Sequence, residues 1–256
     1  MGRQHIEFHQ SYEQPKVIAG SGPLAGAVEQ RQSTDDVTGA YTSLVTFPAG
    51  WQGDWSGLSR PFEIFGLRGD GTLGGGAFSA GFYAYGPSGA EGATYEAVTE
   101  TQVLLMVEEE QSPVAGGPVA IQDTNTMKWA DHGVPGVPPG LVIKLLRVDE
   151  QVGDWTWIAS TVIGWQEDRA EIHPTVEEAL VLQGDVLLGH RGAMSAGSYF
   201  WRTPNVEHGP MTTLDGHTIF FRTKGGGMAV TWVEVPGWKK MVEDYRAIKP
   251  IWRAPA

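Results

Sequence analysis

The stretches EIHPTVEEALVLQG and GSYFWRTPNVEH decide the fold. The first is residues 171–184 and the second is residues 197–208. Residues two apart on an extended strand point to the same face, so Glu171 and His173 share a face. Glu177 has the same parity and follows a break marked by proline. If the strand carrying His208 lies opposite, two imidazoles and one or two carboxylates converge. Two His and one carboxylate with open positions are typical of non-haem iron sites.

The spacing of these residues resembles the two signature motifs of the cupin superfamily. His173, three residues, Glu177, six residues and Gly184 match the first motif, while Glu171 stands where its first His is usual. The second motif ends in a Pro-containing turn before a His, and residues 204–208 are similar but one residue shorter. This shortened form resembles the ChrR-like cupins, which include aryl hydroxyketone dioxygenases.

The resemblance implies an all-β, jelly-roll fold and a metal site. The expected ligands of one divalent metal ion are Glu171, His173, Glu177 and His208. Fe²⁺ is the metal expected first, with Mn²⁺, Zn²⁺ and Ni²⁺ as alternatives. Strand alternation sends Glu178 to the opposite face, where we expect a solvated carboxylate.

The role of Glu171 stays open on the sequence alone. Glu171 stands where the motif usually has its first His, and three roles fit it. It is a fourth metal ligand, or a general base or supporting group beside a metal-bound water or substrate, or it has no role. Tyr199 is predicted to be catalytic together with Glu171, because it lies on a motif strand.

Further residues are assigned by their closeness to the motif strands. Those predicted to bind substrate are Gln183, Trp165 and Trp201. Three cations are candidates for holding a substrate carboxylate, and they are Lys144, Arg147 and Arg202. The other histidines lack a partner at ligand spacing and are interpreted as structural or exposed, namely His5, His9, His132, His190 and His217.

An internal repeat indicates the domain organisation. Five landmarks recur 114 positions later: Asp35, Gly39, Thr42, Gly50 and Trp51 return as Asp149, Gly153, Thr156, Gly164 and Trp165. Farther on, Gly69 matches Gly184 and Tyr83 matches Tyr199, at offsets of 115 and 116. Turns that gained single residues explain the growing offset.

The repeat predicts two tandem cupin barrels, a bicupin, with one barrel in residues 1–120 and the other in residues 121–256. Aligning the two copies places Phe62 where Glu177 stands, and residues 56–62 contain no His. We therefore expect the first barrel to be free of metal and to cover strand edges of the second barrel.

Short apolar or alternating runs bounded by Gly and Pro predict strands rather than helices. The clearest strands are predicted at residues 40–47, 62–67, 102–107, 141–147, 155–163, 179–182, 198–201, 218–222 and 228–234. Helical periodicity is confined to residues 238–247.

Composition excludes several classes of protein. The 256 residues carry a net charge of −12, which argues against a nucleic-acid partner, because nucleic-acid binders present basic faces. Cysteine is absent, so disulfides, thiolate metal sites and a cysteine nucleophile are excluded. No apolar run is long enough to span a membrane, and no signal-peptide stretch begins the sequence. We expect a cytoplasmic homodimer that acts on a small molecule.

Two classes of function fit these observations. The first is a metal-dependent enzyme on a small oxygenated organic substrate, and the resemblance implies a dioxygenase cleaving a C–C bond of a hydroxyketone or diketone. A metal-dependent lyase, isomerase or hydrolase that needs no O₂ is its variant. The second class is a non-catalytic ChrR-like metal or ligand sensor. The sequence shows no helical anti-sigma segment or DNA-binding helix pair beside the predicted barrels, which favours the enzyme.

Overall fold

The structure is a computed structural model that describes residues 2–56, 58–109, 116–227 and 229–252, with the side chains from 248 onward excepted. The chain forms two compact units. Unit 1 comprises residues 2–4 and 11–127, and unit 2 comprises residues 5–10 and 128–252. A short N-terminal segment therefore belongs with the C-terminal half of the chain.

Strands are the predominant regular elements of both units. From the N-terminus they are β1 (Ile6–Gln10), β2 (Val17–Ile18), β3 (Val28–Thr34), β4 (Tyr41–Phe47), β5 (Gln52–Asp54), β6 (Phe62–Arg68), β7 (Asp70–Leu73), β8 (Gly76–Ser79), β9 (Phe82–Gly86), β10 (Thr94–Ala97), β11 (Thr101–Val107) and β12 (Ala120–Asp123). The chain continues with β13 (Ala130–Asp131), β14 (Leu141–Val148), β15 (Trp155–Thr161), β16 (Gln166–Glu167), β17 (Arg169–Ile172), β18 (Val176–Leu188), β19 (Gly192–Ser195), β20 (Ser198–Arg202), β21 (Met211–Thr212), β22 (His217–Lys224), β23 (Thr231–Glu234) and α1 (Trp238–Trp252).

The nine predicted strands and the helix are confirmed, with ends that differ by a few residues. The strand predicted at 228–234 begins only at Thr231, and Met228 lies outside the described residues. The predicted strand at 179–182 is the middle of β18, which has 13 residues. Polar residues on both sides of the predicted segment, Glu177 and Glu178 before it and Gln183 and Asp185 after it, concealed the length of β18.

Unit 1 contains a seven-stranded sheet in the order β12-β9-β6-β11-β4-β3-β2 and a four-stranded sheet in the order β5-β10-β7-β8. Its core is rich in aromatic residues. Trp55 and Tyr95 stack in parallel with their ring centroids 5.7 Å apart, and Phe62 meets Trp55 edge-on at 5.3 Å. Such pairs add to the stabilisation that comes from burying their area.

Unit 2 contains a ten-stranded sheet whose main path is β1-β20-β18-β22-β15-β14-β13. Strands β16, β19 and β21 branch from it, and β17 pairs separately with β23. The strand pairs are antiparallel. None of the sheets closes on itself in the described part of the chain.

Helix α1 packs on unit 2 through its apolar side. Trp238 and Val242 are buried against Leu187 of β18, and the hydroxyl of Tyr245 donates a hydrogen bond to Asp185. Among the described residues, no helix is long and apolar enough to cross a bilayer.

The repeated landmarks adopt the same conformations in the two units. Gly39 and Gly153 have φ of 72° and 78°, and each amide donates to the backbone carbonyl of the Asp four residues earlier at 2.7 Å. Gly69 and Gly184 likewise have φ of 81° and 79°. A Cβ on either glycine would overlap a carbonyl oxygen, so both positions require glycine. These repeated glycines therefore keep the same local backbone conformation in both units.

Candidate metal centre

Three buried side chains meet in unit 2. Glu171, His173 and His208 each offer one ligand atom, and these atoms all lie within 4.8 Å of one another. His208 Nε2 is 3.3 Å from Glu171 Oε1, and His173 Nε2 is 3.6 Å from Glu171 Oε2. The residues are 2–8% exposed, so water does not screen their charges. In the described part of the chain, these three side chains form the one group of acids and imidazoles close enough together to hold a metal ion.

Backbone pairing positions the three residues. Glu171 is in β17, and its amide donates to the His208 carbonyl at 2.8 Å while the His208 amide donates back at 3.0 Å. His173 follows β17, and its carbonyl accepts the Asn205 amide at 2.8 Å. The loop after β20 is therefore fastened to the segment after β17, which is the convergence that the sequence predicts.

Both imidazoles are oriented by their Nδ1 atoms. His173 Nδ1–H donates to the Ala229 carbonyl at 2.9 Å, and His208 Nδ1–H donates to the Val206 carbonyl at 3.1 Å. Neither Nε2 atom has a hydrogen-bond partner, although both are buried. A backbone carbonyl on one ring nitrogen is the usual way in which proteins aim the other nitrogen at a metal.

The charges of this cluster depend on one another. Burial lowers the pKa of His173, but Glu171, Glu177 and the Ala229 carbonyl outweigh this effect and raise the pKa to about 9. Burial raises the pKa of Glu171, yet the two imidazoles that face it hold this pKa well below its usual range. Without a metal, a proton on His173 therefore balances the Glu171 carboxylate at neutral pH. A bound metal would take the place of that proton.

Glu177 lies beside the cluster but is paired elsewhere. Its Oε2 is 3.4 Å from His208 Nε2 and accepts a short hydrogen bond from Arg202 Nη1. Glu177 and Arg202 stand directly opposite each other on β18 and β20. Glu171, rather than Glu177, is thus the carboxylate that contacts both imidazoles.

The cluster borders a cavity of about 280 Å³ in unit 2. Glu171, Glu177, Arg202 and His208 line this cavity, which is otherwise mainly apolar. Aromatic walls come from neighbouring strands, where Trp157 and Phe221 stack with their centroids 5.4 Å apart. A small apolar cavity with a few convergent polar groups has the character of a ligand site.

A loop of residues 133–137 forms part of the cavity wall. Arg169 fixes this loop through a 2.6 Å hydrogen bond from Nη2 to the Gly136 carbonyl. The guanidinium of Arg169 also lies 4.0 Å from the ring centroid of Trp232 and pairs with both oxygens of Glu167. The buried charge of Glu167 at the cavity wall is therefore neutralised.

The residues predicted to bind substrate separate into two groups. Trp165 lines the cavity, and its Nε1 donates to the Pro138 carbonyl at 3.3 Å. Gln183 is exposed and lies beside a bulge in β18. Trp201 is buried, but it pairs with Glu178 on the face of the sheet away from the cavity. The structure brings only Trp165 of these three to the site.

Tyr199, predicted to be catalytic, also lies on the far face. Its hydroxyl donates to Glu178 Oε1 at 2.6 Å, and Arg222 Nη1 donates to Glu178 Oε2 at 2.8 Å. The expectation of a solvated Glu178 is wrong, because this carboxylate is 3% exposed. Strand alternation gave its direction correctly, but Tyr199 and Arg222 allow a charge to be buried there.

Unit 1 has a counterpart of this pair. Tyr83 donates to Glu63 Oε2 at 2.7 Å, and both residues are at most 2% exposed. Both residues align with Tyr199 and Glu178 in the sequence repeat. The repeat therefore preserves the Glu–Tyr pair, whereas at the position of Glu177 unit 1 has the buried Phe62.

Other site residues went unrecognised in the sequence or were only candidates. His132 and His217 line the cavity, although nothing in their spacing distinguishes them from the remaining histidines. Arg202 also reaches the cavity, and its register opposite Glu177 is the signal that singles it out. The other two candidate cations are placed elsewhere: Lys144 lies over the Trp129 ring and Arg147 pairs with Asp149.

The residues present fit a divalent metal ion. Two imidazole Nε2 atoms without a hydrogen-bond partner and one carboxylate converge in a dry site, and such a set suits iron or zinc. Two neutral imidazoles and one carboxylate leave coordination positions for water or substrate.

Fold and site together define a mostly β protein with a candidate metal site. The family described as "Domain of unknown function (DUF4437)" matches residues 9–228, and the chain belongs to this family. No curated protein matches the sequence.

Several solved structures have folds similar to that of this chain. A "putative dioxygenase" from Nostoc punctiforme PCC 73102 superposes with a TM-score of 0.77 at 17% identity, covering 91% of this chain and 92% of that one. A cupin 2 conserved barrel domain protein from Leptotrichia buccalis gives 0.56 at 13%, covering 86% and 97%. A mutant of Bacillus subtilis oxalate decarboxylase gives 0.54 at 11%, covering 96% and 85%. At these identities, the likeness shows the fold alone.

Proposed function

We propose that this protein is a mononuclear metal enzyme acting on a small oxygenated organic substrate. The reaction proposed first is that of a non-haem iron dioxygenase that cleaves a C–C bond of a hydroxyketone or diketone. In that reaction both atoms of O₂ enter the two carbonyl-containing fragments. We further propose that the two units are the two barrels of a bicupin, with the metal in the second.

One observation carries this proposal. The Nε2 atoms of His173 and His208 converge on Glu171 at the edge of an apolar cavity, and neither has a hydrogen-bond partner. A purely structural cluster would satisfy buried donors and acceptors, because leaving them unpaired costs about 1–3 kcal/mol each. Two such atoms aimed at one carboxylate are better explained by a metal ligand set.

Iron(II) held by two His and one carboxylate supplies O₂ activation, whereas zinc in the same donor set supplies a Lewis acid. The chain's own residues contribute the rest. The Ala229 and Val206 carbonyls hold the imidazoles in one tautomer. Glu177, which lines the cavity, is placed to accept a proton from a bound substrate. The aromatic walls exclude water from the reacting groups.

A second candidate is a zinc-dependent lyase, isomerase or hydrolase that does not use O₂. The observation that favours it is the carboxylate pair, since Glu171 contacts both imidazoles while Glu177 lies 3.4 Å from His208 Nε2. A second carboxylate beside a Lewis acid is the arrangement that proton transfer requires.

Metal analysis combined with O₂ consumption tests the two candidates. The purified protein is analysed for bound metals, stripped with chelator and reloaded separately with Fe²⁺ and Zn²⁺ under nitrogen. O₂ uptake is then followed with a panel of 1,3-diketones and aryl hydroxyketones. Iron-dependent uptake matched by product formation supports the dioxygenase. Substrate conversion with zinc and without O₂ uptake supports the second candidate. Failure to bind any metal contradicts both.

A further inference from the structure

Arg202 is a buried cation with donors that the protein leaves unused. Its side chain is 3% exposed and lines the metal-site cavity. Nη1 donates to Glu177, whereas Nε and Nη2 have no hydrogen-bond partner. Glu7 Oε1 lies 3.9 Å from Nη2, beyond hydrogen-bonding distance. Buried guanidinium donors without partners are costly, so they point to a ligand that accepts from them.

The guanidinium is held in one orientation. Its Cζ lies 4.1 Å from the ring centroid of Phe200, which also lines the cavity, and Glu177 fixes one edge. A planar fork that is held in this way loses little conformational entropy when it binds two oxygens in its plane. Arg202 is therefore organised to receive a planar group with two oxygens.

The charges of the cavity indicate the charge of the ligand. Glu167 is neutralised by Arg169 and Glu177 by Arg202, which leaves Glu171 as the unbalanced charge of the cavity wall when His173 is neutral. A divalent metal at Glu171 would leave one positive charge in excess. Because the walls are mainly apolar, an uncompensated charge is unfavourable there, and a ligand with one negative charge would neutralise it.

We propose that the site recognises a singly charged organic anion with an apolar body, whose two oxygens lie in one plane and accept hydrogen bonds from Arg202. A carboxylate and a diketone enolate share this chemistry. The charge argument rests on the proposed function, since the excess positive charge comes from the metal, whereas the unpaired Nε and Nη2 donors of Arg202 do not depend on a metal. Arg202 is then the residue that selects anionic substrates over neutral ones.

Calorimetric titration tests this selection without turnover. Zn²⁺-loaded protein under nitrogen is titrated with 3-phenylpropionate and with its neutral counterpart 3-phenylpropionamide. A second arm uses benzoylacetone, which forms a 1,3-diketone enolate, and 2,2-dimethyl-1-phenylbutane-1,3-dione, which has no hydrogen between its carbonyls and cannot form that enolate. We expect at least one anion to bind roughly tenfold to a hundredfold more tightly than its neutral partner, as charge-assisted hydrogen bonds allow. The arm that shows this preference identifies the anion as carboxylate or enolate.

Matched variants assign the preference to Arg202. Arg202→Lys keeps the charge opposite Glu177 but removes the planar fork, and we expect it to lose about tenfold of the anion preference. Arg222→Lys is the control, because Arg222 of β22 pairs with Glu178, which lies next to Glu177 on β18 but on the face of the sheet away from the cavity. The double variant Arg202→Met/Glu177→Gln keeps the pair neutral if Arg202→Lys does not fold, and it should abolish the preference.

The outcomes separate this inference from the proposed function. Equal binding of anion and neutral partner in metal-loaded protein overturns the inference while leaving the metal enzyme intact. Equal losses in Arg202→Lys and Arg222→Lys overturn it as well. If the protein binds no metal but still prefers the anion through Arg202, the proposed function fails and the anion site stands.

Discussion

Glu171 and His208 face each other across a two-residue antiparallel bridge and exchange both backbone hydrogen bonds, at 2.8 and 3.0 Å. The same pairing places His208 Nε2 3.3 Å from Glu171 Oε1. Because the side chains of directly opposed residues lie on one side of the strand pair, the backbone itself sets the distance between the two candidate ligands. The site is thus built on main-chain geometry rather than on mobile side chains.

Loss of either imidazole should remove the metal. His173→Ala and His208→Ala are each expected to reduce bound metal from about one per chain to near zero, since even indirect partners of a metal ligand contribute 10- to 100-fold in affinity. Metal content after dialysis, measured by mass spectrometry, checks this expectation. His190→Ala is the control, because His190 is exposed and does not belong to the cluster. Metal retained by both site variants would show that His173 and His208 are not the metal ligands.

The two carboxylates should differ in effect. Glu171 contacts both imidazoles, whereas Glu177 is engaged by Arg202. We therefore expect Glu171→Ala to weaken metal affinity by about tenfold or more. Glu177→Gln should retain the metal and lower turnover by about 10² or more, as expected for removal of a general base. Competition with a coloured chelator measures the affinities, and the reverse order of the two effects would make Glu177 the ligand.

The sequence predicts which residues form the cluster better than it predicts what surrounds them. Parity and spacing bring Glu171, His173 and His208 together correctly, because strand alternation and the motif turns act locally. The same alternation places Glu178 and Tyr199 on the far face, yet it does not reveal that this face is buried. Burial depends on what packs against the sheet, and neighbouring residues in sequence do not encode it.

The fold shows a similar limit. The nine strands and the helix follow from local patterns, but β1 does not, since its Ile6–Gln10 segment pairs with β20 near the opposite end of the chain. All five of its residues are half-buried, so their burial does not alternate as it does in a strand with one face in the core. A contact between residues so far apart in sequence forms only when the whole sheet assembles, so local patterns do not predict it. The predicted boundary between residues 120 and 121 likewise does not assign residues 5–10 to unit 2, where the structure places them.

His217 should make the protein less stable in mild acid. Burial lowers the pKa of His217 to about 4, an effect that Asp185 only partly opposes. Between pH 6.5 and pH 4, the unfolded chain therefore binds more protons than the folded chain at this residue. The free energy of unfolding falls as the pH falls through this window, by up to about 3 kcal/mol in total.

Comparison with a variant isolates this contribution. His217→Phe keeps a ring beside Trp165, whose centroid lies 6.2 Å from that of His217, and it should flatten the decline between pH 6.5 and pH 4.5. Urea unfolding at a series of pH values measures the difference, with His190→Ala as the matched exposed control. If wild type and His217→Phe lose stability in parallel, His217 does not titrate as described.

Gly184 and Gly164 separate backbone strain from steric overlap. Both have left-handed backbones, with φ of 79° and 75°. A Cβ at Gly184 would lie 2.0 Å from the Gly216 carbonyl oxygen, whereas at Gly164 nothing lies within 4 Å. Gly164→Ala should therefore cost only the strain of the left-handed conformation, about 1–2 kcal/mol. Gly184→Ala must also move backbone where β18 meets β22, and we expect it to cost about 4 kcal/mol or more.

Melting temperatures check this difference. At about 2–4 °C per kcal/mol for a chain of this size, Gly164→Ala should lower the melting temperature by about 2–8 °C, and Gly184→Ala by at least about 8 °C. Gly69→Ala should behave as Gly184→Ala does, because its Cβ would lie 2.3 Å from the Glu100 carbonyl oxygen. Near-equal shifts for Gly184→Ala and Gly164→Ala would show that the strands of unit 2 give way easily. A mild effect of Gly69→Ala alone would show that the repeated glycines, although alike in conformation, do not carry the same constraint in the two units.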